Sequence, residues 1–264
     1  MLSAAANYAL ISRDLSTSLT RTSKEPAVER ASEDYLSELS KVTSIDDFLK
    51  NDKVYRFAMK AFGLEDMTYA KGFMRKVLTE GVTSSDSFAN KLTDKRYREF
   101  ATAFNFAVNG ADTTKSDVLK QPVVAKYLRQ TMEENAGATN EGTRLALYFE
   151  RKATTITSAF SILADKALLQ VVQTAFNIPA TTSSMDIDKQ AAMIEKRLDV
   201  ADLKDPAKLK KFIGQFLAMY DMNTATSNPA AANPALALFT GSSGGIGIDT
   251  SVLLTLQTYR NRSF

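Results

Sequence analysis

The chain has no cysteine, no histidine and no tryptophan. The first absence excludes disulfides and thiolate metal sites. The second removes the commonest general base and the commonest metal ligand, and with them any Ser–His or Cys–His nucleophile. An enzyme built on this sequence has only carboxylates, Lys, Tyr and Arg to work with. An excess of one charge is also missing. The 33 Lys and Arg against 30 Asp and Glu leave a net +3, too little to argue for nucleic acid. No apolar run nears the roughly 20 residues of a membrane-spanning helix. The segment Met1–Leu10 has no basic stretch ahead of its Ala-rich part, so no cleaved secretory signal is expected. What is present is the makings of a core: 44% of the 264 residues are hydrophobic and 24% charged, close to the globular norm.

Helical periodicity dominates. Over residues 46–62, Phe48, Leu49, Val54, Phe57, Ala58, Ala61 and Phe62 recur mostly at three- and four-residue spacing. Ser44 and Asp47 form a capping-box pattern, with Asp in place of Glu, and Gly63 is placed as a left-handed C-cap. The spacing predicts a helix from about Asp66 to Thr79, with Tyr69, Phe73, Met74, Val77 and Leu78 inward and Gly81 ending it. Helices from about Ser85 to Leu92 and from about Asp94 to Val108 follow, the latter with Tyr97, Phe100, Ala101, Phe104 and Ala107 on one face. The many aromatic residues of this half are at core spacing.

A shift of 114 residues lays the second half on the first. Tyr35 falls on Phe149, Val42 on Ile156, Phe48 on Ile162, Val54 on Leu168 and Phe62 on Phe176. Gly63 falls on Asn177, and these two residue types best tolerate positive φ. The expected fold is therefore all-α, with two diverged copies of a multi-helix unit packed together. Residues 1–25 form an amphipathic N-terminal segment, 26–110 the first repeat, 111–220 the second, and 221–264 a Pro/Gly-rich linker and a last helix.

The two ends are amphipathic. Tyr8, Ile11, Leu15 and Leu19 align at the start. Val252, Leu253, Leu256 and Tyr259 align at the finish, after an Asp249-Thr250-Ser251 cap. A terminal helix must bury its stripe on its own domain or on a partner. These eight residues are the candidate interaction residues, for a protein partner or for self-assembly.

Other motifs read more plainly. The run GSSGGIG at 241–247 lacks the Lys-Ser/Thr pair of a P-loop and the strand of a dinucleotide site, so it reads as a turn. Asp186-x-Asp188 lacks the Gly and Glu of a calcium loop. Like Asp46-Asp47, Glu65-Asp66 and Glu133-Glu134, it reads as acidic residues answering a helix N-terminus. Lys91, Lys95, Arg96 and Arg98, and Lys208, Lys210 and Lys211, read as solvated helix faces. No catalytic, cofactor-binding or metal-binding residue is assigned. No cofactor, small-molecule ligand or nucleic acid is expected.

Three stretches carry a family resemblance: residues 42–52 (VTSIDDFLKND), 57–65 (FAMKAFGLE) and 69–78 (YAKGFMRKVL). Ser87-Phe-Ala-Asn-Lys-Leu92, Arg96-Tyr97 and Phe100-Ala101 continue it. The chain resembles the bacterial family called domain of unknown function 1217, strongly over most of 26–110 and weakly beyond. The resemblance implies an alphaproteobacterial protein whose gene sits among flagellar genes. It supplies no catalytic residues. The implied function is a non-enzymatic flagellum-associated structural or assembly protein, located in basal body, hook or filament if exported. The alternative is a cytoplasmic helical binding module, an export chaperone or regulator. The Ala-Asn-Asn type motif of rod and hook proteins is not present, Ala6-Asn7-Tyr8 being only a fragment.

Overall fold

Caps written into the sequence divide the chain into many short helices. The structure, a computed structural model, describes residues 2–227, and no strand occurs among them. Helices α1 (Ala4–Arg13) and α2 (Leu15–Ser23) meet at Asp14. Its carboxylate accepts from Thr17 N at 2.9 Å and Thr17 Oγ1 at 2.7 Å, and these bonds hold its pKa down at about 2. Helix α3 (Pro26–Leu39) starts on a proline, where no N–H is needed.

The helix expected over 46–62 is two, α4 (Ile45–Lys50) and α5 (Asp52–Ala61). Asn51 interrupts it because its side chain accepts from Val54 N at 3.2 Å and so starts a new helix. Ser44 caps α4 through Asp47 N at 3.1 Å, while the Asp47 carboxylate reaches back to Thr43 N at 3.2 Å, one residue earlier than a standard capping box. Gly63 has φ 70, and Leu64 N donates to Met59 O at 2.8 Å, closing the helix in a Schellman turn.

Helix α6 (Lys71–Glu80) starts later than the sequence pattern suggests, because residues Glu65–Met67 form a 3-10 turn instead. Tyr69 therefore falls outside the helical period and is 81% exposed, not inward. Beyond Gly81 come α7 (Phe88–Lys91), α8 (Arg96–Ala103) and α9 (Phe106–Asn109). The single helix expected over 94–108 breaks after Phe104. Residues two apart on one helix face opposite ways, and the break lets both Phe104 and Phe106 enter the core. Ala107, expected inside, is exposed. Phe48 lies at the centre of this first core, its ring 4.9 Å from Phe104, 5.8 Å from Tyr55 and 6.0 Å from Phe100.

Helix α10 (Gln121–Thr139) leads out of the first core, and α11 (Glu141–Lys152) turns back along it. Then α12 (Ala159–Leu163), α13 (Lys166–Ala175), α14 (Ile187–Glu195) and α15 (Pro206–Ser227) enclose the second core. Local devices of the first half stand again 114 residues on. Ser158 caps α12 through Ser161 N at 3.4 Å, and Asp165 caps α13 through Leu168 N at 3.2 Å. Asn177 has φ 51, and Ile178 N donates to Gln173 O at 2.8 Å. Asp186 caps α14 through Asp188 N at 3.0 Å, the helix-terminus role expected of it. Helix α15 runs to Ser227, into the stretch read as linker. The reason is that the first proline after Pro206 is at 229. The GSSGGIG run and the final helix lie outside the described residues.

Gly81 combines φ 61 and ψ −146, a conformation open essentially to glycine, and an added Cβ would stand 2.7 Å from the Ala107 Cβ. Gly81→Ala is expected to lower stability by about 1–3 kcal/mol in urea denaturation. Gly214→Ala, in an exposed helical position where a Cβ meets nothing within 4 Å, should raise it by about 0.5–1 kcal/mol.

Candidate functional site

The four N-terminal candidates come together, but on the protein's own body. Tyr8, Ile11, Leu15 and Leu19 of α1 and α2 pack on Met132 and Ala136 of α10 and Leu147 of α11. The start of α1 is pinned as well. The Asp221 carboxylate of α15 accepts from Ala4 N at 2.7 Å and Ala5 N at 3.1 Å, and Thr143 Oγ1 donates to Ala4 O at 3.2 Å. Burial, with the Glu150 carboxylate beside it, pushes the Tyr8 hydroxyl well above its ordinary pKa. Val252, Leu253, Leu256 and Tyr259 lie outside the described residues.

The densest chemistry lies at the seam between the halves. Glu133 was expected at a helix N-terminus; instead it stands within the long α10 with its side chain 2% exposed. Arg129 Nε donates to it at 2.7 Å, and Arg151 of α11 donates through Nε at 2.8 Å and a terminal nitrogen at 2.7 Å. Arg129 also donates to Leu147 O at 3.1 Å. A buried carboxylate needs this much compensation, since its desolvation costs several kcal/mol. The only hint in the sequence was Arg129, four residues before Glu133. Further ties cross between elements: Lys60 to Glu134 at 2.7 Å and Lys152 to Glu99 at 3.1 Å. Burial opposes the charge of Lys60, but the Glu134 carboxylate outweighs it and raises the Lys60 pKa.

Three cavities adjoin along the seam. One, of about 550 Å³, gathers Arg96, Arg144, Tyr148, Arg151 and Asp165. Each is held. Arg96 grips Asp94 at 2.7 Å and also reaches the Gly63 carbonyl; Arg144 pairs with Glu141. The Tyr148 hydroxyl donates to Asp165 Oδ2 at 2.6 Å, while Asp165 Oδ1 caps α13 through Ala167 N at 2.9 Å. Burial first, then the Asp165 carboxylate, raises the Tyr148 pKa, so the hydroxyl stays protonated.

Adjoining it at Asp94, Arg96, Lys152 and Asp165, cavities of about 600 and 830 Å³ share Lys95, Arg98, Glu99, Lys152 and Thr155 and so form one trough. Lys95, Arg98 and Lys126 line it, exposed and in no ion pair with a described residue. Val118, 58% exposed, and Phe160, 45% exposed, are the apolar residues most open along it. The sequence placed Lys91, Lys95, Arg96 and Arg98 on a solvated face. All four line the trough, but Arg96 grips Asp94 and the Gly63 carbonyl and Lys91 pairs with Asp86 at 3.2 Å, while Lys95 and Arg98 are in no ion pair with a described residue. Among the described residues no group of three or more metal-ligating side chains occurs, and no helix is long and apolar enough to cross a membrane.

The model for the family "Protein of unknown function (DUF1217)" matches residues 61–209, reaching well into the half where the resemblance was weak. No curated protein matches the chain. A crystal structure of protein AGR_C_984 from Agrobacterium tumefaciens is similar, at 50% sequence identity and a TM-score of 0.76, covering 83% of this chain and 93% of that one.

Glu133→Ala leaves two arginines facing a buried gap. It is expected to destabilise by about 3 kcal/mol or more, read as a lowered urea midpoint. Lys152→Ala, which breaks only the tie to the exposed Glu99, should cost about 1 kcal/mol or less.

Proposed function

The chain belongs to the DUF1217 family of proteins of unknown function, and from that premise we propose that it is a non-enzymatic protein acting through protein–protein contacts in flagellar assembly. The flagellar setting rests on what the family resemblance implies. The non-enzymatic part rests on one observation: in the seam cavity Arg96, Arg144, Tyr148, Arg151 and Asp165 are each held in a structural pair. Catalysis needs a group free to take or give a proton. The trough, by contrast, brings exposed cations and exposed apolar side chains together on one concave surface. The caps that recur at 114-residue spacing support two diverged copies of one helical unit as its scaffold.

Within this reading, the packing of the N-terminal helices favours the self-contained binding module, an export chaperone or regulator, over an exported axial component. An axial subunit builds its tube from free terminal helices. Here the stripe of Tyr8, Ile11, Leu15 and Leu19 is already covered by α10 and α11. The same packing supports a place in the cytoplasm.

The test is a clean chromosomal deletion scored in soft agar, with the protein traced by antibody through cytoplasm, basal bodies, hooks and sheared filaments. Reduced swimming with the protein in the cytoplasm is expected. Normal swimming overturns the flagellar reading, and recovery from hooks or filaments replaces the module with the axial component.

A further inference from the structure

We propose that the trough at the seam is a docking site for an acidic amphipathic segment of a partner protein. The inference rests on the contact-protein reading above and names the chemistry of the partner.

Charge selects the occupant first. The carboxylates that reach the trough are engaged: Glu99 by Lys152, Asp94 by Arg96, and Asp165 by Tyr148 and the start of α13. Among the described residues no carboxylate pairs with Lys95, Arg98 or Lys126. Lys126 lies 5.0 Å over the Phe62 ring, on the wall of the larger cavity. Three cations in one concavity, none in an ion pair with a described residue, attract carboxylates and repel bases.

Apolar surface selects next. The larger cavity is walled by Phe62, Ala103, Val118 and Ala125 as well as by its cations, and Phe160 opens on the adjoining one. Burying Val118 and Phe160 requires apolar side chains interleaved with the acids. A phosphodiester chain offers none, and single-stranded nucleic acid would look for successive aromatic platforms, where this trough presents only Phe160 exposed. The chain's own residues 228–264 carry one acid, Asp249, against Arg260 and Arg262, so their charge has the same sign as the trough. An acidic amphipathic segment of another protein meets both requirements.

The probe is a fluorescein-labelled synthetic helix with Glu on one face and Leu and Phe on the other, followed by anisotropy against the full chain. The Glu peptide should bind, and its Lys counterpart should not. Raising the salt should weaken binding, as it does for exposed charges. The triple variant K95E/R98E/K126E should melt like the wild type and lose about tenfold or more in affinity, about 0.5 kcal/mol or more per charge. Val118→Ser and Phe160→Ala, each at a surface position, should weaken binding through the apolar side alone. K95Q/R98Q/K126Q gives an intermediate loss and keeps the test usable should the charge-reversed chain misfold.

Equal affinity of wild type and both triple variants overturns the proposal. So does tighter binding of a single-stranded oligonucleotide or of phosphatidylglycerol vesicles through the same three cations. Self-association in sedimentation that the triple variant abolishes would assign the trough to a second copy and overturn it too. The deletion phenotype reads the flagellar setting and the titration reads the trough, so either can fail without the other.

Discussion

Glu133 is a charge in a place where a charge is costly, and the arrangement of the two halves follows from how that cost is met. One arginine comes from its own helix and the other from α11, so the carboxylate cannot be satisfied unless α10 and α11 lie side by side in register. Both cores hang on that pair of helices. Val123, Val124 and Tyr127 at one end of α10 enter the first core, while Leu145, Ala146 and Phe149 of α11 enter the second. Met132, Ala136 and Leu147, between them, carry the N-terminal helices. An apolar residue at 133 would bury as well but would not specify a partner. The double ion pair ties one face of α10 to one face of α11.

The first half adds a second constraint, aromatic packing. Tyr35, Phe57 and Tyr127 stack in a row, with centroids 4.4 and 3.9 Å apart, so α10 is held to α3 and α5 by rings as well as by ions. The Tyr35 hydroxyl donates to Leu119 O at 2.6 Å and Thr114 Oγ1 to Val42 O at 2.7 Å, which fastens the connection leading into α10. The second half has fewer rings in its core and an aliphatic residue, Ile162, 114 positions after Phe48. Its aromatic contacts gather instead at α15, through Phe212 and Phe216.

What was legible in the sequence was local. Gly63, Gly81 and Asn177 announced positive φ, and Ser44 announced a cap, because those signals need only neighbours within a few residues. Periodicity found the core positions but overran helix ends. It missed the Asn51 break, since an N-cap inside a periodic run leaves the apolar spacing intact. It put Tyr69 inside for the same reason: a 3-10 turn shifts the phase without changing the composition. Glu133 was illegible for a different reason. Its second arginine lies 18 residues away, across a helix turn, and a lone charge in a helix otherwise means solvent. The N-terminal stripe was visible as a stripe, while its cover, more than a hundred residues on, was not.

The seam also explains why a chain of nearly balanced charge can present a charged surface. Folding pairs acids and bases along the seam, where Arg96, Arg144 and Arg151 take up Asp94, Glu141 and Glu133. Each acid used there is unavailable to other bases, and Lys95, Arg98 and Lys126 are left in no ion pair with a described residue. The positive trough is thus the complement of the neutralised cavity, produced by the same helices and the same pairing. A net charge of +3 conceals it because composition sums over the whole surface, whereas a partner meets only the part it touches. The pairing that fixes the two halves in register is therefore also what leaves the cations of the trough uncovered.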